Sequence, residues 1–289
     1  MKIGVVFPQT ELGGDVAAVR AYGEAMDELG FTHLLAYDHV VGADPTVHER
    51  WAGPYDSNTT FHEPFVMFGY LAAVTSVELV TGIIILPQRQ TALVAKQAAE
   101  VDLLTGGRFR LGIGVGWNAV EYEALGQSFT ERGQRMTEQI GLLRRLWTEP
   151  SVTHDGRFDH VTGAGLAPLP VQRPIPIWIG GSSAPAYRRI GQLADGWFPQ
   201  VRPGDDLDAA LDIIGQAAAD AGRDPSAIGM EGRASWSPED PDRFVRQVER
   251  WRSAGASHLT IDTMYTGMDG VAEHLAALGL AAERCELAP

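Results

Sequence analysis

The chain has 289 residues, 45% of them hydrophobic, enough to bury a sizeable core in one domain or two. Its 23 basic and 37 acidic residues leave a formal charge of −14, which repels phosphate backbones and anionic membranes and excludes nucleic-acid binding. The single cysteine, Cys285, excludes an intrachain disulfide or a cysteine metal cluster. The opening Met-Lys-Ile-Gly-Val-Val-Phe-Pro is too short an apolar run for a signal peptide, and no run approaches the roughly 20 apolar residues of a membrane span. The expectation is a soluble, cytoplasmic protein with no membrane partner.

Lys2 to Phe7 reads as a β-branched strand stopped by Pro8, followed by a helix capped by Asp15 and ended by Gly30. His33 to Tyr37 is a second strand, with Asp38 and His39 at its C-terminal end. Residues 41–62 are rich in Gly, Pro and aromatics and too long for an ordinary connection, which marks a lid or binding loop. A helix is expected from Pro64 to Thr75 and a third strand from Glu78 to Leu86. Next comes a helix capped by Thr91, with Leu93, Val94, Ala98, Val101 and Leu104 inward.

The fourth strand, 108–113, runs into Gly112, Gly114 and Gly116, with Trp117 and Asn118 beyond. Glycines at every second position leave one strand face without side chains. Such a face suits a flat ligand against bare backbone, or a tight barrel interior where only hydrogens fit. The Trp-Asn pair at its mouth favours the ligand. Helical pattern covers 120–125 and 131–148, and residues 151–174 look like a hairpin excursion turning at Asp155-Gly156.

Ile175 to Ile179 is strand five, leading into Gly180-Gly181-Ser182-Ser183 and a helix from Ala184. Further strands are expected at 196–199, 228–234 and 258–262, alternating with helices at 206–221, 241–254 and from Gly270. Eight strand-then-helix units with continuously apolar strands indicate a parallel sheet covered by helices. That count closes a (β/α)8 TIM barrel, an α/β fold read here as one domain over residues 1–289. The runner-up is an open doubly wound sheet, whose first strand here lacks a GxGxxG turn.

Barrel chemistry gathers at the C-terminal ends of strands. His39 there suits an acid or base near neutral pH, or a structural hydrogen-bonding role. Asp38 could orient it, although adjacent strand residues point to opposite faces. Gly180 to Ser183 before a helix is a plausible anion nest, a weak signal by itself. There is no HExxH spacing for a metal and no GxSxG elbow. Glu121 and Glu123 read as residues of a helix face, Trp147 and Trp251 as core.

Taken together, Gly114-Val-Gly-Trp-Asn118 with Glu121-Tyr122, Arg132-Gly133, Leu146-Trp-Thr-Glu-Pro150, Pro168-Leu-Pro-Val-Gln-Arg-Pro174, Ile177-Trp-Ile-Gly-Gly181 and Ala194-Asp-Gly-Trp-Phe-Pro199 resemble the bacterial luciferase-like monooxygenase family. The resemblance is to its coenzyme F420-dependent oxidoreductase branch and is thinnest beyond residue 200. It implies a barrel with insertion segments, commonly a homodimer, that binds a deazaflavin or, alternatively, FMN at its C-terminal mouth. It also implies a non-prolyl cis peptide in strand three, for which Gly82-Ile83 is the matching pair.

Carried over, Asp38 and His39 face the reactive edge of the ring and Ile83 presses on its back. Gly114, Gly116, Trp117 and Asn118 flank its middle, and Gly180, Gly181 and Ser182 hold the phosphate. Sugar-phosphate dehydrogenases of this family place a proton-transferring acid after the strand-four glycines. Here that place is Trp117, which leaves His39 as the catalytic candidate. The expected activity is hydride transfer between coenzyme F420 and a small-molecule substrate, with the 41–62 loop (Trp51, Tyr55, Phe61) as cover. The rival readings are an FMN-dependent monooxygenase and a non-catalytic flavin-binding protein.

Overall fold

The structure, a computed structural model, describes residues 1–287. Strand β1 (Lys2–Val6) is buried from Ile3 onward, and a single helical turn, α1 (Gln9–Leu12), follows Pro8. Asp15 caps α2 (Val16–Glu28) by accepting the N–H groups of Ala17 and Ala18 at 2.9 and 3.2 Å. Strand β2 (His33–Ala36) is fully buried. Residues 41–62 contain turns but no helix or strand, in keeping with the lid expected there. Glu63 then caps α3 (Pro64–Leu71), which is shorter than expected and unwinds into turns at residues 72–74.

The expected third strand is two pieces, β3 (Glu78–Thr81) and β4 (Ile84–Ile85), interrupted at Gly82-Ile83. In α4 (Thr91–Leu104) the inward stripe is Val94, Ala95, Ala98, Ala99 and Val101, whereas Leu93 and Leu104 are exposed. Thr91 does not cap this helix; its hydroxyl donates to Asp159 at 2.7 Å and ties α4 to the excursion. Strand β5 (Phe109–Gly114) is buried throughout and leads to α5 (Ala119–Ala124) and α6 (Arg132–Thr148). The excursion is an antiparallel hairpin, β6 (Val152–Asp155) and β7 (His160–Ala164), outside the main sheet.

Strand β8 (Ile177–Gly181) starts two residues later than expected. The chain then runs through α7 (Ala184–Leu193), β9 (Gly196–Pro199), α8 (Asp205–Asp220), β10 (Gly229–Ser235), α9 (Pro241–Ser253), β11 (His258–Asp262) and α10 (Val271–Arg284). The barrel pairings are all parallel, and β1 bonds to both β2 and β11. Closure comes from β5, which takes β3 at Leu79↔Phe109 and β4 at Ile84↔Ile113. A sheet without edges excludes the doubly wound alternative and gives the (β/α)8 barrel.

The main core lies between strands and helices and includes Trp147 and Trp251. A smaller cluster of Val6, Leu35, Val80, Trp178, Phe198 and Met264 packs separately. A buried ion group sits among the strands below the barrel's mouth. Arg110 reaches Glu231 at 2.6 Å and Glu78 at 3.0 Å, and its guanidinium lies 4.1 Å from the Trp178 ring centroid. Burial opposes the charge on Glu231, but Arg110 and His33 outweigh it and hold the carboxyl well below its ordinary value. No helix among the described residues is long and apolar enough to cross a membrane.

Candidate active site

A cavity of about 440 Å³ opens at the C-terminal ends of the barrel strands, where this architecture gathers its chemistry. Asp38, His39, Gly82, Ile83, Gly114, Gly116, Trp117, Gly180, Gly181 and Ser182 all line it. Asn118 does not. It is buried, and its side-chain oxygen caps α5 by accepting from the Val120 and Glu121 N–H groups at 3.1 and 3.2 Å. Its sequence signature belongs to the helix start rather than to a ligand.

The peptide between Gly82 and Ile83 is cis, as the resemblance implies. The glycine face on β5 does not act as one surface. A Cβ at Gly112 would collide with the Thr81 carbonyl, so this glycine serves the tight barrel interior. A Cβ at Gly114 would meet Ile83 Cδ1 at 2.5 Å, and one at Gly180 would meet Ile83 Cγ2 at 3.4 Å. The bare backbone of Gly114 and Gly180 therefore seats the Ile83 side chain, and Ile83 supplies the wall. Gly116, at φ 64°, makes the same room for Ile85.

Asp38 does not orient His39. Its carboxylate accepts from Arg89 Nη2 at 2.8 Å and from the Ile85 N–H at 3.2 Å, tying the end of β2 to β4. Burial pushes this carboxyl up, with Arg89 pulling the other way. The histidine's partner is Glu121, whose Oε2 lies 3.5 Å from His39 Nδ1. Glu121 is buried rather than on an outer helix face. It accepts from the Val40 N–H at 2.6 Å and from Gln88 Nε2 at 2.9 Å. Burial disfavours its charge, yet the His39 ring, Gln88 and Val40 prevail and the carboxyl sits below its ordinary value.

The sequence carries one trace of this residue. Asn118 and Glu121 have capping-box spacing, but the glutamate reaches across to residues 40 and 88 instead of back to its own helix start. With Nδ1 turned to Glu121, His39 keeps Nε2 without a partner among the described residues. The lid packs on the other side of the ring. Phe61, Tyr55 and Trp117 lie 4.7, 5.2 and 5.7 Å from it between centroids, and Trp51 stacks at 5.5 Å on Trp117. Trp51 Nε1 donates to the Tyr55 carbonyl at 2.9 Å, which stiffens the loop.

At the β8 end, Ser183 caps α7 with its hydroxyl, and the N–H groups of Ser182 and Ser183 meet no backbone carbonyl. Arg189 from α7 lines the same end. Its guanidinium donates to Thr137 Oγ1 and the Gly133 carbonyl, both at 2.9 Å, and pairs with no carboxylate among the described residues. Free amides, a helix N-terminus and an unpaired cation fit an anionic group. The apolar wall of Ile83, Leu35, Val6 and Phe198 fits a flat ring.

Residues 1–257 match the profile of the luciferase-like monooxygenase family. The chain belongs to that family. Its relatives include an uncharacterized protein of Mycobacterium tuberculosis, 36% identical over 70% of this chain and 76% of that one. An F420-dependent hydroxymycolic acid dehydrogenase of the same organism is 27% identical over 88% of this chain and 68% of its own length. The crystal structure of the monooxygenase RslO1 from Streptomyces bottropensis superposes with a TM-score of 0.81 at 20% identity, covering 98% of both chains. The family holds oxidoreductases and monooxygenases, some dependent on F420 and others on FMN.

Proposed function

We propose that the protein is an oxidoreductase that transfers hydride between coenzyme F420 and a small organic substrate. The observation that carries this reading is the meeting of two things in one cavity: Ile83 seated on Gly114 and Gly180, and His39, which Glu121 backs from behind the lining. A bound deazaflavin supplies a hydride-carrying carbon that activates oxygen poorly, since carbon replaces the flavin's reactive ring nitrogen.

The protein's own residues do the rest. Ile83 supports one face of the ring. The Ser182 and Ser183 amides and Arg189 hold the phosphate. Trp117 and the lid aromatics exclude water from the reacting end. His39, with Nδ1–H directed to Glu121, gives or takes the substrate's proton at Nε2. Asp38 holds the chain before His39 through Arg89 and lends no proton.

An FMN-dependent monooxygenase is the second reading, because the Ile83 wall backs either ring system. Titrating the protein with F420 and with FMN, each followed at its own absorption band, separates the two. Tighter F420 binding is expected; FMN binding with no F420 binding overturns the first reading. The protein is proposed to work as a homodimer, with Val66 and Tyr70 of α3 at the interface.

A further inference from the structure

The charged groups of the cavity do not cancel. Two acids line it, Asp38 and Glu231. Asp38 is bonded to Arg89 at 2.8 Å and Glu231 to Arg110 at 2.6 Å, and neither arginine reaches the cavity. Two cations line it, Arg189 and Arg233, and neither pairs with a carboxylate within 4 Å among the described residues. In a chain with a formal charge of −14, two unpaired guanidinium groups facing one cavity are a built feature.

Arg189 stands at the β8 end, where the phosphate nest lies. Arg233 projects from β10, and β9 separates these two strands. Its guanidinium is exposed to the cavity and donates through Nη1 to the Tyr37 hydroxyl at 3.0 Å. Tyr37 directly precedes Asp38 and His39, so Arg233 reaches across the barrel mouth to the reacting end. The one acid acting on it at longer range is Asp262. Burial pushes that carboxyl up, with Arg233 pulling the other way; its Oδ1 accepts from the Met264 N–H at 2.9 Å, and it makes no ion pair with the guanidinium within 4 Å.

We propose that Arg233, steadied by Tyr37, is a subsite for a carboxylate, and that the substrate is a small organic acid with an apolar body. An arginine fork pairs two N–H groups with the two oxygens of a carboxylate, and Tyr37 engages only one nitrogen. A single cation matches the single charge of a carboxylate. Tyr55, which lines the same cavity outside the ring wall, borders the apolar part. This subsite deepens the oxidoreductase reading, on which it rests only for the word substrate.

The test needs no cofactor. Benzoate, phenylacetate and hexanoate are each titrated calorimetrically against the protein, alongside benzamide, phenylacetamide and hexanamide, in chloride-free buffer. At least one acid is expected to bind about tenfold or more tightly than its amide, the size of a charge-assisted pair. Arg233→Gln removes that preference while Arg233→Lys keeps part of it, and thermal melting shows both variants folded. A misfolded variant would lose acid and amide alike, and in that case the Arg233→Lys preference decides.

Equal binding of every acid and its amide overturns the proposal. So does a preference that survives Arg233→Gln. Failure of the wild type to bind F420 or FMN defeats the oxidoreductase reading and leaves the carboxylate subsite standing. Loss of the acid preference with cofactor binding intact does the reverse.

Discussion

Glu121 Oε2 lies 3.5 Å from His39 Nδ1, while Asp38, the chain neighbour of that histidine, turns to Arg89 instead. The acid that faces the imidazole thus comes from α5, after the fourth barrel strand, and is held by the backbone N–H of Val40 and by Gln88. Glu121→Gln keeps an acceptor for Val40 but loses the charge that steadies an imidazolium. Removing such a supporting partner typically costs about 10–100-fold, so turnover is expected to fall by that factor with cofactor affinity within about threefold. Steady-state kinetics beside a cofactor titration read the split, and equal losses in both would remove the positioning role.

His39→Ala is the stronger lesion. Removing a general acid or base typically costs about 10²–10⁴-fold in rate. Turnover should collapse while cofactor affinity changes little, since Ile83 and the β8 nest carry binding. A loss of cofactor affinity as large as the loss of turnover would contradict the assignment.

Ile83 and its two glycine seats give a graded expectation. A methyl at Gly114 meets Ile83 Cδ1 at 2.5 Å and pushes the side chain into the cavity, whereas one at Gly180 sits at ordinary contact, 3.4 Å. Overpacking of this kind costs about 1–3 kcal/mol, and about 1.4 kcal/mol is tenfold in affinity. Gly114→Ala should weaken cofactor binding about tenfold or more and Gly180→Ala much less. The same titration tests both, and equal effects would mean that Ile83 is not the wall.

The architecture was legible because strand alternation and helix caps are local. Asp15 caps α2, the hairpin forms where expected although its loop is residues 156–159 with Asp155 still in the strand, and eight strand–helix units close as their count predicts. Thr91 misled because a threonine ahead of a helical stripe has the pattern of a cap, while its hydroxyl answers a distant aspartate. Asn118 misled in the opposite sense, being a cap read as a ligand. Gly114 and Gly116 line the cavity while Gly112 does not, and the purpose of Gly114 depends on where Ile83 comes to lie, which no spacing within β5 encodes. Glu121 and Arg233 escaped for one reason: their partners, His39 and Tyr37, are brought to them only by closure of the barrel.

The barrel's N-terminal end predicts an acid sensitivity. Burial, reinforced by the charge of Arg110, pushes His258 down to about 3, while in the unfolded chain it titrates near 6.5. Between those values the unfolded chain takes up the proton first, so stability falls as pH drops through that window. Glu231 is lowered too, here because its partners favour the charged form. Its depressed carboxyl stabilises fully above the ordinary glutamate range and loses that contribution only below about 4.5. In the slope of melting temperature between pH 6.5 and 4.5, half-buried His258 and buried His274, which burial lowers as well, act against the raised carboxyls of Asp38 and Asp262. His258→Gln should flatten that slope, and an unchanged slope would assign the sensitivity elsewhere.

The outer face of α3 is the remaining test. Val66 is 74% exposed and Tyr70 40% exposed, four residues apart on one helical face. Neighbouring α4 adds Leu93, 52% exposed, although its inward stripe has no need of that residue. Apolar side chains clustered on packed helices are what a partner surface presents, and a stable dimer buries on the order of 1,600 Å² in total. Sedimentation equilibrium should give twice the chain mass for the wild type. Val66→Asp places a desolvated carboxylate at the proposed two-fold contact in a protein already strongly negative, so the proposed dimer should give way to monomer with the melting profile of the barrel retained. A monomeric wild type, or a variant whose mass does not change, would place any self-association on another face.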